Sequence, residues 1–242
     1  MENRKAILVM GAGDATGGAV ARRFACEGYV ACVTRRNLES LQPLVERIRA
    51  DGGEAHGFAS DACVEDDVVQ LVARIEAEIA PLEVAVFNVG VNLRSPVAEM
   101  SAQMYRTAWE VGALAGFLTG REVAKAMLKR GRGTIIFTGA TASLRGGANF
   151  AAFAGAKHAL RALAQSMARE LGPQGIHVAH VVIDGGIDTA FIASNFPERY
   201  ALKDRDGILS PLAIADNYWM LHHQHRSAWT HEMDLRPWME KF

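Results

Sequence analysis

Short apolar runs alternate with longer amphipathic stretches along the whole chain, and that rhythm constrains the fold more than any other feature. The runs are rich in Val and Ile and nearly continuous in their hydrophobicity, as strands are when both faces are buried. Their spacing predicts strands at 6–10, 30–34, 55–59, 84–88, 134–138 and 177–183, with a last one near 229–235. Helical periodicity falls at 17–28, 38–51, 65–80, 102–130 and 152–171, with a shorter stretch near 211–223. Strands buried on both faces need helices above and below them. The pattern therefore points to an α/β fold, a doubly wound parallel sheet of about seven strands covered on both sides. The 102–130 stretch is long for one helix, and Gly112, Gly116 and Gly120 within it suggest close packing or a bend.

A chain of 242 residues suits one such unit spanning 1–242. The region from about 184 to 210 is less periodic, and Gly185, Gly186, Pro197 and Gly207 make it the candidate substrate loop. Its Phe191, Ile192, Phe196 and Tyr200 suggest a partly apolar pocket for a small molecule. A net charge of −1 with no basic block argues against nucleic acid as partner. No apolar run approaches the roughly 20 residues of a membrane span. The opening MENRKAILVM reads as a first strand rather than a leader, because it runs straight into a glycine loop. Cys26, Cys32 and Cys63 are odd in number and lack metal-like spacing, so reduced thiols in a cytoplasmic protein are expected. The group His222, His223 and His225 has no acidic partner at ligand spacing and reads as a solvated or interface face; no metal site is expected.

The first strand ends in VMGAGDATGGA. Glycines between a strand and a helix allow a tight turn and a close approach to a pyrophosphate at the helix N-terminus. The competing reading is a tight turn with no ligand. The second strand ends in Thr34, Arg35 and Arg36, where an NAD-preferring dinucleotide fold carries an acidic group for the ribose. A guanidinium can grip a 2′-phosphate with two hydrogen bonds, which favours NADP(H) over NAD(H). A pair of solvated arginines is the alternative.

The segment AAFAGAK, with Phe153 and Lys157 one turn apart, resembles the Tyr-x-x-x-Lys signature of the short-chain dehydrogenase/reductase family. The resemblance runs from Ala6 to about Asp234 and implies a Rossmann-type fold. The glycine turn is similar to the family's Gly-x-x-x-Gly-x-Gly, with Gly11 and Gly17 matching and Ala15 at the middle glycine. The resemblance implies cofactor contacts from Gly11, Gly13, Asp14, Ala15, Thr16 and Gly17, and from Asp61 and Ala62 at the adenine. It implies others from Asn88 and Gly90 in FNVG, from Lys157 at the ribose, and from Gly185, Ile187 and Thr189 near the nicotinamide. For Asp61 and Asn88, ordinary turn capping competes.

Relatives react through an Asn, a Ser, a Tyr and a Lys. Aligned by local motif, the first three fall on Gly112, Ala140 and Phe153, and Lys157 alone is retained. Reducing a carbonyl needs hydride at carbon and a proton at oxygen, and neither Ala140 nor Phe153 can polarise or protonate that oxygen. Thr141, Ser143 and Asp184 are the candidate replacements, with Thr138 also flanking Ala140. His158 and His180 read as structural. The first reading is an NADP(H)-binding oxidoreductase with a divergent active site. Its rivals are a cofactor-binding sensor or partner subunit without catalysis, and a non-redox enzyme on the same fold. Relatives form dimers or tetramers, and small residues in LAGFLTGREVAKAM and FAGAKHALRALAQSM fit helix packing between subunits, with the tail from Trp229 as a second interface.

Overall fold

In a computed structural model, which describes residues 4–241, seven strands form one wholly parallel sheet; the outermost residues of the expected 1–242 unit lie outside it. The strands are β1 (Ala6–Met10), β2 (Val30–Arg35), β3 (Ala55–Ala59), β4 (Leu82–Phe87), β5 (Gly133–Thr138), β6 (Ile176–Ile183) and β7 (Glu232–Leu235). Their spatial order is β3-β2-β1-β4-β5-β6-β7. The longer helices are α1 (Thr16–Ala25), α2 (Gln42–Ala50), α3 (Glu65–Glu78), α4 (Ala102–Trp109), α5 (Ala115–Leu128) and α6 (Ala151–Leu171). Two short ones, α7 (Ala190–Asn195) and α8 (Pro197–Tyr200), precede α9 (Pro211–His222).

Strand β1 explains why the sheet is covered twice. Ala6, Leu8 and Met10 point into a layer with Leu71 and Ile75 of α3, Leu118 of α5 and Leu160 of α6. Ile7 and Val9 point into the opposite layer with Phe24 of α1, Ile48 of α2 and Tyr218 of α9. With a side-chain period of two, an unbroken apolar run must feed both cores. The strand order reverses between β1 and β4, which leaves a crevice beyond their carboxyl ends.

The 102–130 stretch is broken: a π-helical turn, Glu110–Leu114, separates α4 from α5. Its glycines sit where α6 comes closest. A Cβ on Gly112 would stand 2.8 Å from Ala156 Cβ, one on Gly116 2.4 Å from Leu160 Cδ1, and one on Gly120 3.0 Å from Met167 Cε. These three glycines serve packing within the chain. The 38–51 helix starts late, after a 3₁₀ turn at Glu39–Leu41, because Pro43 belongs in a first turn where its missing N–H costs nothing. The last strand is shorter than expected. Within 184–210, α7 and α8 were not foreseen, being too short for periodicity to reveal; the Thr189 hydroxyl caps α7 and Pro197 opens α8. His222 is no solvated residue: its ring nitrogens bond the Tyr29 hydroxyl at 2.7 Å and the Thr134 hydroxyl at 2.8 Å, and burial pushes its pKa down to about 3.

Candidate functional site

The crevice between the ends of β1 and β4 is a cleft of about 1180 Å³. Its floor is the glycine turn. Gly11 has φ +87°, a conformation that favours glycine. Its carbonyl accepts from Asn88 Nδ2 at 3.0 Å, and its N–H donates to the Thr34 hydroxyl at 3.3 Å. A Cβ on Gly17 would lie 2.6 Å from the Gly11 carbonyl, so α1 can begin this close to the turn only at glycine. The residue before α1, Ala15, offers its first-turn N–H groups no side-chain acceptor. The Thr16 hydroxyl is buried at the same place without a hydrogen-bond partner. The Gly18 N–H donates to the Gly13 carbonyl at 2.9 Å; a pyrophosphate carries acceptors for the Thr16 hydroxyl and the first N–H groups of the helix, and the residues present fit a dinucleotide.

At one end of the cleft stand Arg35, Arg36, Ser60, Asp61 and Ala62. Arg35 reaches over Gly13, with its guanidinium 3.5 Å from the Asp14 carboxylate, which is 94% exposed. That pair is open to water and weak. The Thr34 hydroxyl donates to Met10 Sδ at 3.1 Å and accepts from the Gly11 N–H. One oxygen of Asp61 accepts from the Cys63 N–H at 3.0 Å, so capping is part of its work. The buried Ser60 hydroxyl has no partner and lines the cleft beside Asp61. Sequence reasoning passed over it, although its place between β3 and Asp61 was a signal.

At the other end, Ala140, Thr141, Phe153, Lys157, Asp184 and Gly185 line the cleft. Lys157 is buried, and its ammonium donates to the Thr138 carbonyl at 2.8 Å. Burial pulls its pKa down to about 8. The Thr141 hydroxyl donates to Asp184 Oδ1, and Arg236 stands 3.2 Å from Oδ2. Asp184 is thus an ion-paired acceptor rather than a lone carboxylate in an apolar wall.

Not every expected residue reaches the cleft. Gly112 is packed against Ala156, and Val111 and Thr107 line the wall instead. The Ser143 hydroxyl is fully buried and accepts from the Ala140 N–H at 3.1 Å, away from the lining. Thr189 caps α7, accepting from the Ile192 N–H at 3.1 Å, and is not a lining residue. Phe191, Ile192, Phe196 and Tyr200 do not line the cleft either. In contrast Gly90 and Ile187 do. His158 bonds its own helix at Ala154 O, 2.9 Å away. His180 is only half satisfied: Nδ1 meets Glu232 at 3.0 Å, while Nε2 is buried without a partner. Burial pulls its pKa down to about 4, so the ring is neutral near pH 7. Arg94, Phe150, Arg199 and Glu240 also line the cleft and carried no motif. The tail brings Glu240 to Arg199 at 2.6 Å and sets Pro237 against Gly185.

The model of the short chain dehydrogenase family matches residues 5–199. Short-chain reductase protein NovJ from Streptomyces niveus is 31% identical over 209 residues, covering 85% of this chain and 77% of that protein. A short-chain dehydrogenase from Rhodopseudomonas palustris, solved by crystallography, is 45% identical with a TM-score of 0.83, covering 98% of this chain and 100% of that one. A metagenomic short-chain oxidoreductase crystallised with NADP is 26% identical with a TM-score of 0.83, covering 98% of each chain.

Proposed function

The chain belongs to the short-chain dehydrogenase family, and on that premise we propose that it is an NADP(H)-dependent oxidoreductase with a divergent active site. The observation that carries the reading is the unpartnered Thr16 hydroxyl at an uncapped helix start, in a cleft with Arg35 at one end and Lys157 at the other. The 26% identical relative solved with NADP supports the same nucleotide. Arg35 and Arg36 hold the 2′-phosphate in this proposal, with the Asp14 pair giving way to it. Asp61, Ala62 and Ser60 face the adenosine, and Gly90, Gly185 and Ile187 border the nicotinamide half.

When bound, the nicotinamide supplies or takes hydride at a substrate carbon. Lys157 spends one N–H on Thr138 and has two left for ribose hydroxyls. Phe153 and Ala140 leave carbon at the positions assigned to the proton donor and the carbonyl-polarising hydroxyl. A missing positioned acid costs about 100- to 10,000-fold in rate. Thr141 is the replacement the geometry favours. Its hydrogen is engaged by Asp184, so its oxygen can accept the proton of a substrate alcohol while its own passes to Asp184. This arrangement suits alcohol oxidation, in which the Thr141–Asp184 pair takes up the substrate proton.

The apolar positions 140 and 153 favour a second reading, a cofactor-binding protein without catalysis. Isotope exchange separates the two. The full chain is incubated with deuterated NADPH and a panel of aldehydes and ketones, and with NADP+ and alcohols deuterated at the carbinol carbon. Deuterium found in product and lost with Thr141→Val supports the first reading; bound cofactor with no exchange supports the second. The free thiols Cys26, Cys32 and Cys63 fit the cytoplasm, and the exposed Tyr105, Trp109 and Phe117 fit assembly as a homodimer or homotetramer. Among the described residues, no helix is long and apolar enough to cross a membrane.

A further inference from the structure

Arg94 stands at the substrate end of the cleft between two aromatic rings. Its guanidinium lies 4.6 Å from the centre of the Phe150 ring and 5.7 Å from that of Phe196. Three separate segments meet there: the loop after β4, the start of α6 and the 184–210 region. The Ser95 N–H donates to the Asn149 carbonyl at 3.0 Å and fastens the first two together. Stacking leaves the edge of a guanidinium, with its fork of donors, free for a planar anion. Among the described residues no carboxylate pairs with Arg94. The nearby acids are already used, Asp184 by Thr141 and Arg236, and Glu240 by Arg199.

The distance to the reaction position is short. Phe150 also touches Phe153, with ring centres 6.4 Å apart, so Arg94 is one aromatic ring removed from the position that faces the reacting atoms. We propose that Arg94 binds a carboxylate of the substrate, and that the substrate carries its alcohol or carbonyl about one ring's length from that carboxylate. The inference rests on the proposed oxidoreductase site and names the substrate class for it. The two flanking rings hold the guanidinium before the substrate arrives, which lowers the ordering cost of binding. Phe150 and Phe153 supply the apolar wall for the stem between the two groups.

Calorimetry or saturation-transfer NMR on the full chain tests this, with benzoate, benzamide and phenyl phosphate as probes, each with and without NADPH. Benzoate is expected to bind at least about tenfold more tightly than benzamide, as a charge-assisted bidentate pair should. Arg94→Ala erases that preference while NADPH affinity is kept, and Arg94→Lys retains part of it. Equal binding of benzoate and benzamide, or a preference that survives Arg94→Ala, overturns the proposal. Phenyl phosphate binding more tightly than benzoate overturns the choice of carboxylate. Wild-type protein that ignores NADPH but still holds benzoate through Arg94 defeats the cofactor reading and supports this one.

Discussion

The buried ammonium of Lys157 donates a 2.8 Å hydrogen bond to the backbone carbonyl of Thr138, and that carbonyl is its one hydrogen-bond partner among the described residues. A carbonyl satisfies a donor without neutralising its charge. The side chain is therefore held in place while burial works against its protonated form.

Stability should rise with pH because of Lys157. Its pKa falls from 10.5 to about 8 on folding. Between those values the unfolded chain keeps a proton that the folded chain has released, so alkali favours the fold across that window. Below about pH 8 both states are protonated and the buried cation costs on the order of a few kcal/mol. Urea midpoints measured across the window should climb in the wild type and climb less in Lys157→Met. Parallel curves would show that the lysine is not the cause.

An Asn placed at position 112 should damage the fold. The added Cβ would sit 2.8 Å from Ala156 Cβ, and neither atom can swing away. Overpacking of this kind costs about 1–3 kcal/mol. Gly112→Asn should lower Tm by a few degrees per kcal/mol lost. An unchanged Tm would mean that the contact between the π-helical turn and α6 yields easily.

Under the proposed assignment, hydroxyls placed at positions 140 and 153 should supply proton transfer. Both residues line the cleft. Ala140→Ser with Phe153→Tyr should raise NADPH-dependent reduction of a simple aromatic aldehyde by about 100-fold or more. No gain with cofactor demonstrably bound would show that the pocket no longer places a carbonyl at these atoms.

Arg35→Ala should weaken NADPH by about 10- to 100-fold and NADH by little, because charge-assisted hydrogen bonds of about 1.5–3 kcal/mol are lost only from the phosphorylated nucleotide. Fluorescence titration of both nucleotides reads this directly. Equal weakening of the two would assign Arg35 to the turn itself, through its approach to Gly13 and Asp14.

The parts of this molecule that sequence made legible are those set by local chemistry. Strand β1 is a continuous apolar run, and the ends of β1 and β3 fell where they were expected. The glycine turn was legible because Gly11 and Gly17 have no substitute at a positive φ and a 2.6 Å approach. Contacts between distant segments were not. Nothing local marks His222 as the partner of Tyr29 and Thr134, or the tail as the source of Glu240 beside Arg199. The contact of Gly112 with Ala156 depended on how α6 lies, which nothing local in the sequence states. Ser143 misled because a hydroxyl near the reaction position can equally bond the backbone, as it does at Ala140 N.

The central claim is a cleft that grips a phosphorylated dinucleotide while positions 140 and 153 offer no hydroxyl. A single titration of the wild-type chain with NADPH and with NADH, followed by nicotinamide fluorescence, tests it most directly. The account predicts saturable binding of NADPH at least about tenfold tighter than that of NADH. Absence of NADPH binding, or tighter binding of NADH, would contradict it.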